Sequence, residues 1–130
     1  NDRVASAGTV VDVTDYPDVN DLILASDAAV LDYSSLRFDY ALTGKPMVFL
    51  VPDLEAYDKA RGGVIDFAPT APGPLVTTTR EVVHWLARLE ELRASTAAAI
   101  DRFRHDYADL DDGHASQRLV DAVFAPRGDA

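Results

Sequence analysis

Short apolar runs that alternate with amphipathic segments constrain the fold of this chain more than any other feature. Residues 28–31 and residues 47–51 are continuous apolar runs of the length expected for strands that are buried on both faces. A shorter β-branched run at residues 10–13 precedes a predicted helix over residues 19–26, with Asp18 as its N-cap. This alternation predicts βαβαβ connectivity, and therefore an α/β fold with a parallel sheet and flanking helices.

The segment between the two long apolar runs predicts a helix whose two ends are marked by the sequence. Ser34 and Ser35 are both suited to the N-cap position, and apolar residues follow at helical spacing. Gly44 favours the left-handed conformation found at helix C-termini, and Pro46 prevents the helix from continuing. We therefore expect the helix to end shortly before Gly44.

The remainder of the chain predicts a long loop followed by a helical C-terminus. Apolar periodicity stops over residues 52–74 and turn residues recur there, which is typical of a functional or mobile loop. Helical spacing returns after the threonines at 77–79, over residues 92–107 and over residues 115–124. Residues 125–130 contain proline and glycine and are predicted to fray.

The beginning of the chain indicates a fragment of a larger domain. Residues 1–9 show neither helical nor strand spacing and lead directly into the predicted strand at 10–13. A sheet of three strands is small, and its first strand needs further neighbours to cover its edge. We therefore interpret residues 1–130 as part of one domain, and the sequence does not indicate the oligomeric state.

Composition excludes several classes of partner and site. The chain has 12 basic and 22 acidic side chains, and its net charge of -10 argues against nucleic acid as a partner. It has no cysteine, so a thiolate metal site and a disulfide are both excluded. Histidines and carboxylates show no metal-ligand spacing, and the glycine-rich signatures of Walker-type ATPases and NAD-binding proteins are missing.

Asp32, Tyr33, Ser34 and Ser35, here called the 32–35 turn, are the strongest candidate for a binding site. In open α/β sheets, ligands bind beyond the carboxyl ends of the strands. Free backbone N–H groups and the positive end of the helix dipole favour a phosphate there, and two serine hydroxyls add donors. The alternative is structural, because Ser34 at an N-cap with a solvated Ser35 needs no ligand.

Further candidate residues have equally plain alternatives. Asp39 in the same helix is placed to accept hydrogen bonds from ribose hydroxyls, or it is an exposed helix carboxylate. Arg61, which precedes two glycines, is either a cationic lid over a phosphate or an exposed arginine. His114 follows a glycine at the start of the last helix, where a ring N–H is suited to a phosphate or simply faces solvent. These alternatives stay open on spacing alone.

The order of several short segments resembles the C-terminal region of the CDP-glycerol glycerophosphotransferases, the teichoic-acid polymerase type. The resemblance covers nearly the whole chain after Thr9. The similar segments are residues 12–22, 26–27, 31–41, 45–47, 53–57, 61–62, 71–74 and 112–116. A histidine stands at position 114, where the family often has lysine or another polar residue.

The resemblance implies a GT-B glycosyltransferase-like fold, in which this chain is part of the Rossmann-like donor-binding domain. Ser34 and Ser35 would then bind the donor diphosphate. Asp32 and Asp39 would lie at the nucleotide site, and Arg61, His114 and Ser116 would border the same cleft. The catalytic residues stay unknown, because the histidines that the family uses are expected upstream of this chain.

The implied reaction transfers glycerol phosphate from CDP-glycerol to a growing teichoic-acid-like polymer or lipid-linked acceptor, with release of CMP. The donor is a substrate, and neither a cofactor nor a metal is expected. The implied location is the cytoplasm or the cytoplasmic face of the membrane, with the full-length protein peripheral to it. Two alternatives stay open: a GT-B glycosyltransferase that uses a nucleotide sugar, and a non-catalytic module that keeps the fold.

Overall fold

A parallel sheet lies at the centre of the computed structural model, which describes residues 10–61 and 65–124. The strands are β1 (Ala29–Leu31), β2 (Met47–Leu50) and β3 (Leu75–Val76), in the spatial order β1-β2-β3. Leu31 lies opposite Phe49, which lies opposite Leu75 in the other pair. The predicted strands at 28–31 and 47–51, and their parallel arrangement, are confirmed with slightly shorter bounds. Burial on both faces is wrong for β1, because Val30 is exposed.

The described residues form seven helices. They are α1 (Val19–Ala25), α2 (Leu36–Ala41), α3 (Leu54–Arg61), α4 (Phe67–Thr70), α5 (Thr79–Leu86), α6 (Leu89–Tyr107) and α7 (Ala115–Phe124). The predicted helices correspond to α1, α2, α5, α6 and α7, with α6 beginning three residues earlier than expected. Asp18 caps α1 as predicted, and Gly44 adopts the expected left-handed conformation with φ of 69°.

The predicted strand at residues 10–13 is wrong. These residues form no strand, and all of them are exposed. The Asp12 carboxylate instead accepts hydrogen bonds from the backbone N–H and the hydroxyl of Thr14. In the part of the chain that the structure describes, no strand lies beside this segment. Its β-branched composition is therefore not enough, because a strand needs a partner for its backbone groups.

The predicted uninterrupted loop over residues 52–74 is also wrong, since α3 and α4 lie within it and β3 follows it. Helix α3 leaves most of its side chains exposed, so its sequence carries no strong apolar periodicity. Strand β3 spans only two residues. Gly73 lets the chain approach β2 closely, because a Cβ at this position would lie 2.1 Å from the Met47 carbonyl oxygen.

The core lies on both faces of the sheet. On one face, α1, α2, α4 and the second half of α6 surround Met47 and Phe49. On the other face, Val82 of α5 and Leu92 of α6 cover Val48 and Val76. Helix α6 contributes to both clusters because it is 19 residues long, and the whole arrangement holds the carboxyl ends of the strands at one edge.

Two predictions concern residues outside the described ranges. The unpatterned segment 1–9 and the frayed tail 125–130 both fall there, as do Gly62 and Gly63. Within the described residues, no helix combines the length and the apolar character that crossing a bilayer requires.

Candidate functional site

Polar segments follow each strand at the edge of the sheet where the carboxyl ends lie. The 32–35 turn follows β1, Asp53 lies three residues beyond the end of β2, and Thr77 and Thr78 follow β3. Loops at this edge of an open α/β sheet form its binding crevice. The sequence-based choice of the 32–35 turn as the candidate site therefore agrees with where the turn lies in the fold.

The two serines of the 32–35 turn have different hydrogen bonds. The Ser34 backbone N–H donates to Asp32 Oδ1 at 2.8 Å, and Ser34 Oγ accepts from the Leu36 backbone N–H at 3.2 Å. Ser35 occupies the N-cap position but makes no side-chain capping bond. Among the described residues, neither its backbone N–H nor its hydroxyl has a hydrogen-bond partner, and Ser35 is exposed. Ser34 is thus the structural serine, and Ser35 offers two free donors.

Tyr33 connects the 32–35 turn to the segment after β2. Its hydroxyl donates to Asp53 Oδ1 at 2.8 Å, and its ring stacks on Tyr57 of α3 with centroids 3.7 Å apart and planes 6° from parallel. Its ring also meets the Phe67 ring edge-on at 5.2 Å. Desolvation, followed by the hydrogen bond to the Asp53 carboxylate and its charge, raises the pKa of Tyr33 to about 12.

No sequence signal pointed to this connection, because Tyr33 and Asp53 are 20 residues apart. Tyr33 was recognised only as a member of the 32–35 turn, without a contact of its own. Asp53 lay in the segment that was predicted to be a loop. The pairing depends on the parallel alignment of β1 and β2, which brings the residues after both strands together.

Arg37 is a buried cation in the first turns of α2, with 5% of the residue exposed. Its Cζ atom lies 4.6 Å from the Phe67 ring centroid, 5.0 Å from that of Phe38 and 5.7 Å from that of Phe103. Nη1 has no hydrogen-bond partner, and the guanidinium pairs with no carboxylate of the described residues. Burial lowers the pKa of Arg37, although an arginine stays charged in proteins.

Asp39 lies on a different side of α2 from these aromatic contacts. It is exposed and lines a cleft of about 460 Å³ between α1 and the end of α2. Lys45 lines the same cleft, and its Nζ donates to the carbonyl oxygens of Ile23 and Leu24 at 3.2 and 2.7 Å. The structure therefore places Asp39 beside α1, and the proposed contact with a ribose stays a prediction.

The segment at 112–116 forms its own small structure. The Asp112 carboxylate accepts from the His114 backbone N–H at 2.9 Å and pairs with Arg118 Nη1 at 2.7 and 2.8 Å. The hydrogen bond from Arg118, followed by that from His114, lowers the pKa of Asp112. His114 and Ser116 are exposed. No hydrogen bond, ion pair or ring contact between described residues joins this segment to the 32–35 turn.

Arg61 is the last residue of α3, and the placement of its side chain is not described. The predicted cationic lid thus stays a prediction.

A cleft of about 560 Å³ opens between the start of α3 and β3, and sequence reasoning missed it because neither element was expected. Asp53 lines this cleft together with Leu54, Lys59 and Thr77. Within the described ranges, no group of three or more histidine or acidic side chains is placed to hold a metal ion.

Comparison with known proteins shows the family of this chain. A family model described as CDP-Glycerol:Poly(glycerophosphate) glycerophosphotransferase matches residues 1–125. The chain belongs to this family. The match includes the 32–35 turn, Arg37, Asp39 and the segment at 112–116, so the resemblance recognised from the sequence is confirmed.

The curated relatives that the chain matches are longer than the chain itself. It is 37% identical over 118 residues to a teichoic acid poly(glycerol phosphate) polymerase of Bacillus subtilis, covering 90% of the chain and 16% of that protein. It is 38% identical over 116 residues to a teichoic acid glycerol-phosphate transferase of Staphylococcus aureus, covering 88% of the chain and 30% of that protein. A teichoic acid poly(ribitol-phosphate) polymerase of Bacillus spizizenii is 34% identical over 116 residues, and the match covers 89% of the chain and 18% of that protein.

A solved structure supports the fold assignment. The wall teichoic acid polymerase TagF superposes with a TM-score of 0.77 at 34% identity, covering 86% of this chain and 28% of TagF. Another TagF structure follows a 30 minute soak with CDPG. The predicted fold class, a Rossmann-like parallel sheet that forms part of a GT-B-like fold, is confirmed.

Proposed function

We propose that this chain is the donor-binding part of a transferase that moves glycerol phosphate from CDP-glycerol to a teichoic-acid-like polymer. Family membership over residues 1–125 carries the proposal. The physical support comes from the 32–35 turn, which lies at the carboxyl edge of the sheet and presents free donors at Ser35. The chain spans 16% to 30% of its curated relatives, so the activity belongs to the proposal.

The chemistry assigned to this chain is binding of the donor diphosphate. The Ser35 backbone N–H and hydroxyl are free to donate to phosphate oxygens. Ser34 Oγ accepts one hydrogen bond from the Leu36 backbone N–H, which leaves its own proton available for a second phosphate contact. These local donors have to act against a net charge of -10, because the charge of the chain as a whole repels an anion.

In the proposed reaction, an acceptor hydroxyl attacks the β-phosphorus of CDP-glycerol. A new P–O bond forms to the acceptor, the bond from the β-phosphorus to the bridging oxygen breaks, and CMP leaves with the bonding electrons. The acceptor proton passes to a general base. We assign this chain the stabilisation of the diphosphate and not the base. We place the reaction at the cytoplasmic face of the membrane, where a lipid-linked acceptor and a soluble donor would meet.

Ligand-dependent thermal stability tests the proposed function. The purified chain is heated with CDP-glycerol, CDP, CMP, UDP or buffer, and the unfolding midpoint is measured at equal ligand concentrations. At 100 times its Kd, a ligand that binds only the folded state stabilises by about 2.7 kcal/mol, which corresponds to a rise of several degrees. We expect the unfolding midpoint to be higher with CDP and with CDP-glycerol than with UDP.

The other ligands make the test selective. A larger shift with UDP than with CDP would favour a nucleotide-sugar transferase, and would contradict the proposal. Equal midpoints in all five solutions would favour a non-catalytic module that has kept the fold. Ribitol-phosphate relatives are about as similar as glycerol-phosphate relatives, so CDP-ribitol belongs in the same series to identify the polyol.

A further inference from the structure

Arg37 is a positive charge that the described protein leaves without a counter-ion. The residue is 5% exposed, its Nη1 has no hydrogen-bond partner, and aromatic rings rather than carboxylates surround its guanidinium. Burying an unpaired charge is strongly unfavourable, and cation–π contacts offset only part of that loss. A methionine or leucine would fill such an apolar site without this disadvantage.

The charge lies close to the 32–35 turn. Arg37 follows Ser35 by two residues, and its guanidinium contacts the Phe67 ring at 4.6 Å. Phe67 in turn meets the Tyr33 ring at 5.2 Å, so a single aromatic ring separates the guanidinium from a member of the turn. Because rings rather than water occupy this space, the field of Arg37 is screened less than that of a surface arginine.

Two carboxylates near the turn, Asp32 and Asp53, keep their negative charge and oppose this field. Asp53 accepts a hydrogen bond from the Tyr33 hydroxyl at 2.8 Å and Asp32 accepts one from the Ser34 backbone N–H, but neither carboxylate pairs with Arg37, so the guanidinium keeps a full positive charge that offsets theirs. Arg93, in contrast, is a half-exposed arginine whose charge is shared with Asp27 and Glu90 at 3.6 Å each. Arg37 thus differs from Arg93 in both burial and pairing.

We propose that Arg37 determines specificity at the 32–35 turn by making affinity depend on the negative charge of the ligand. The residue does not touch the phosphate: it raises the local potential that the phosphate meets at Ser35. This inference rests on the proposed function, since it presumes a phosphate-bearing ligand at the turn. It also explains how an acidic chain can bind a diphosphate at the 32–35 turn.

A ligand series of increasing charge tests the proposal. Dissociation constants for cytidine, CMP and CDP are measured by calorimetry with the wild-type chain, Arg37→Met and Arg37→Lys. Methionine keeps the length and apolar contacts of the arginine stem, so we expect the unfolding midpoint of Arg37→Met to be equal or higher. We expect its Kd to be unchanged for cytidine, raised a few-fold for CMP and raised about tenfold for CDP.

Two variants separate charge from structure. Arg37→Lys keeps the positive charge and should keep most of the difference between CDP and cytidine. Arg93→Met removes the same charge from an exposed, paired arginine and should leave all three dissociation constants unchanged. An equal loss of affinity for cytidine, CMP and CDP in Arg37→Met would overturn the proposal, because it would show a purely structural role. So would no loss for CDP.

Failure of the proposed function would look different. If the wild-type chain binds CDP no more tightly than cytidine, the turn is not a diphosphate site, and both the function and this inference are overturned. If wild type prefers CDP and Arg37→Met keeps that preference, the function stands and only the role of Arg37 is overturned.

Discussion

Adjacent residues of the 32–35 turn have separate tasks. Ser34 is tied into the backbone through Asp32 on one side and Leu36 on the other, whereas the backbone N–H and the hydroxyl of Ser35 have no partner among the described residues. Tyr33 binds the turn to Asp53 and α3. The structural alternative given by the sequence, a capping Ser34 beside a solvated Ser35, matches these contacts. The bonds to Asp32 and Asp53 were not predicted, because they depend on backbone geometry that spacing does not define.

The serines should respond differently to alanine. We expect Ser35→Ala to weaken CDP binding about ten- to a hundredfold, since it removes one hydrogen bond to a charged group, with stability nearly unchanged. Ser34→Ala should lower the free energy of unfolding by about 1 kcal/mol, because the Leu36 N–H loses its acceptor. Calorimetry and urea unfolding measure the two effects. Ser95→Ala on α6, an exposed helix serine, is the control, and a CDP affinity equal to wild type in Ser35→Ala would contradict this division.

The Tyr33 hydroxyl should make stability depend on pH in the alkaline range. The pKa of Tyr33 is raised to about 12 in the folded chain, against about 10 when unfolded. Its contribution is therefore fully present below pH 10 and is lost as the pH rises towards 12. We expect Tyr33→Phe to lower the free energy of unfolding by about 1 kcal/mol at pH 8.

Urea unfolding from pH 8 to pH 12 checks this sign. The difference between wild type and Tyr33→Phe should shrink above pH 10, and comparing the two proteins cancels the titration of the other tyrosines. A difference that grows with pH, or that is zero at pH 8, would show that the bond to Asp53 does not stabilise the fold.

The helices and strands that could be predicted were those with strong local sequence patterns. Strands β1 and β2 were readable as continuous apolar runs, and α2 was readable because cap residues mark both of its ends. Strand β3, with two residues, and α3, which is mostly exposed, carry no such signal. The segment at 10–13 has strand composition without a strand neighbour in the described residues. Composition therefore failed where tertiary pairing decides the structure.

Helix α5 illustrates an element whose start is defined by side chains. Thr78 is its N-cap, and the Glu81 carboxylate accepts from the Thr78 backbone N–H at 2.9 Å, which completes a capping box. The Thr78 hydroxyl, followed by the Thr77 backbone N–H, lowers the pKa of Glu81. This carboxylate thus stabilises the fold above its unfolded pKa, and the stabilisation is lost as the pH falls through its folded pKa.

Replacing the cap should destabilise the chain at neutral pH. We expect Thr78→Ala to lower the free energy of unfolding by about 1 kcal/mol, because the first turn of α5 loses its side-chain acceptor. Thr79→Ala, one residue further inside the helix, should change it by less than about 0.5 kcal/mol. Urea unfolding at pH 7 compares them, and equal values for the two variants would mean that the capping box does not hold the end of α5.

In the molecule as a whole, the parallel sheet brings the parts of the candidate site to one edge. One core cluster packs on β1 and β2 and the other on β2 and β3, from opposite faces of the sheet. The carboxyl ends of β1 and β2 bring the 32–35 turn, Asp53 and α3 together. Helix α7, in contrast, contributes nothing to the core, since none of its residues is buried. The fold class and the turn were predictable because the chain order of a βαβ unit determines which loops share an edge. The contacts between those loops required the structure.

Amide chemical shifts of the isotope-labelled chain report whether the diphosphate binds at the 32–35 turn. CDP and cytidine are titrated separately, and the backbone amide resonances are followed by NMR. We expect saturable shifts at Ser34 and Ser35 with CDP that are much smaller with cytidine, because the diphosphate and not the base contacts the Ser35 donors. Shifts with CDP confined to the cleft at Leu54 and Thr77, with the 32–35 turn unchanged, would contradict this expectation.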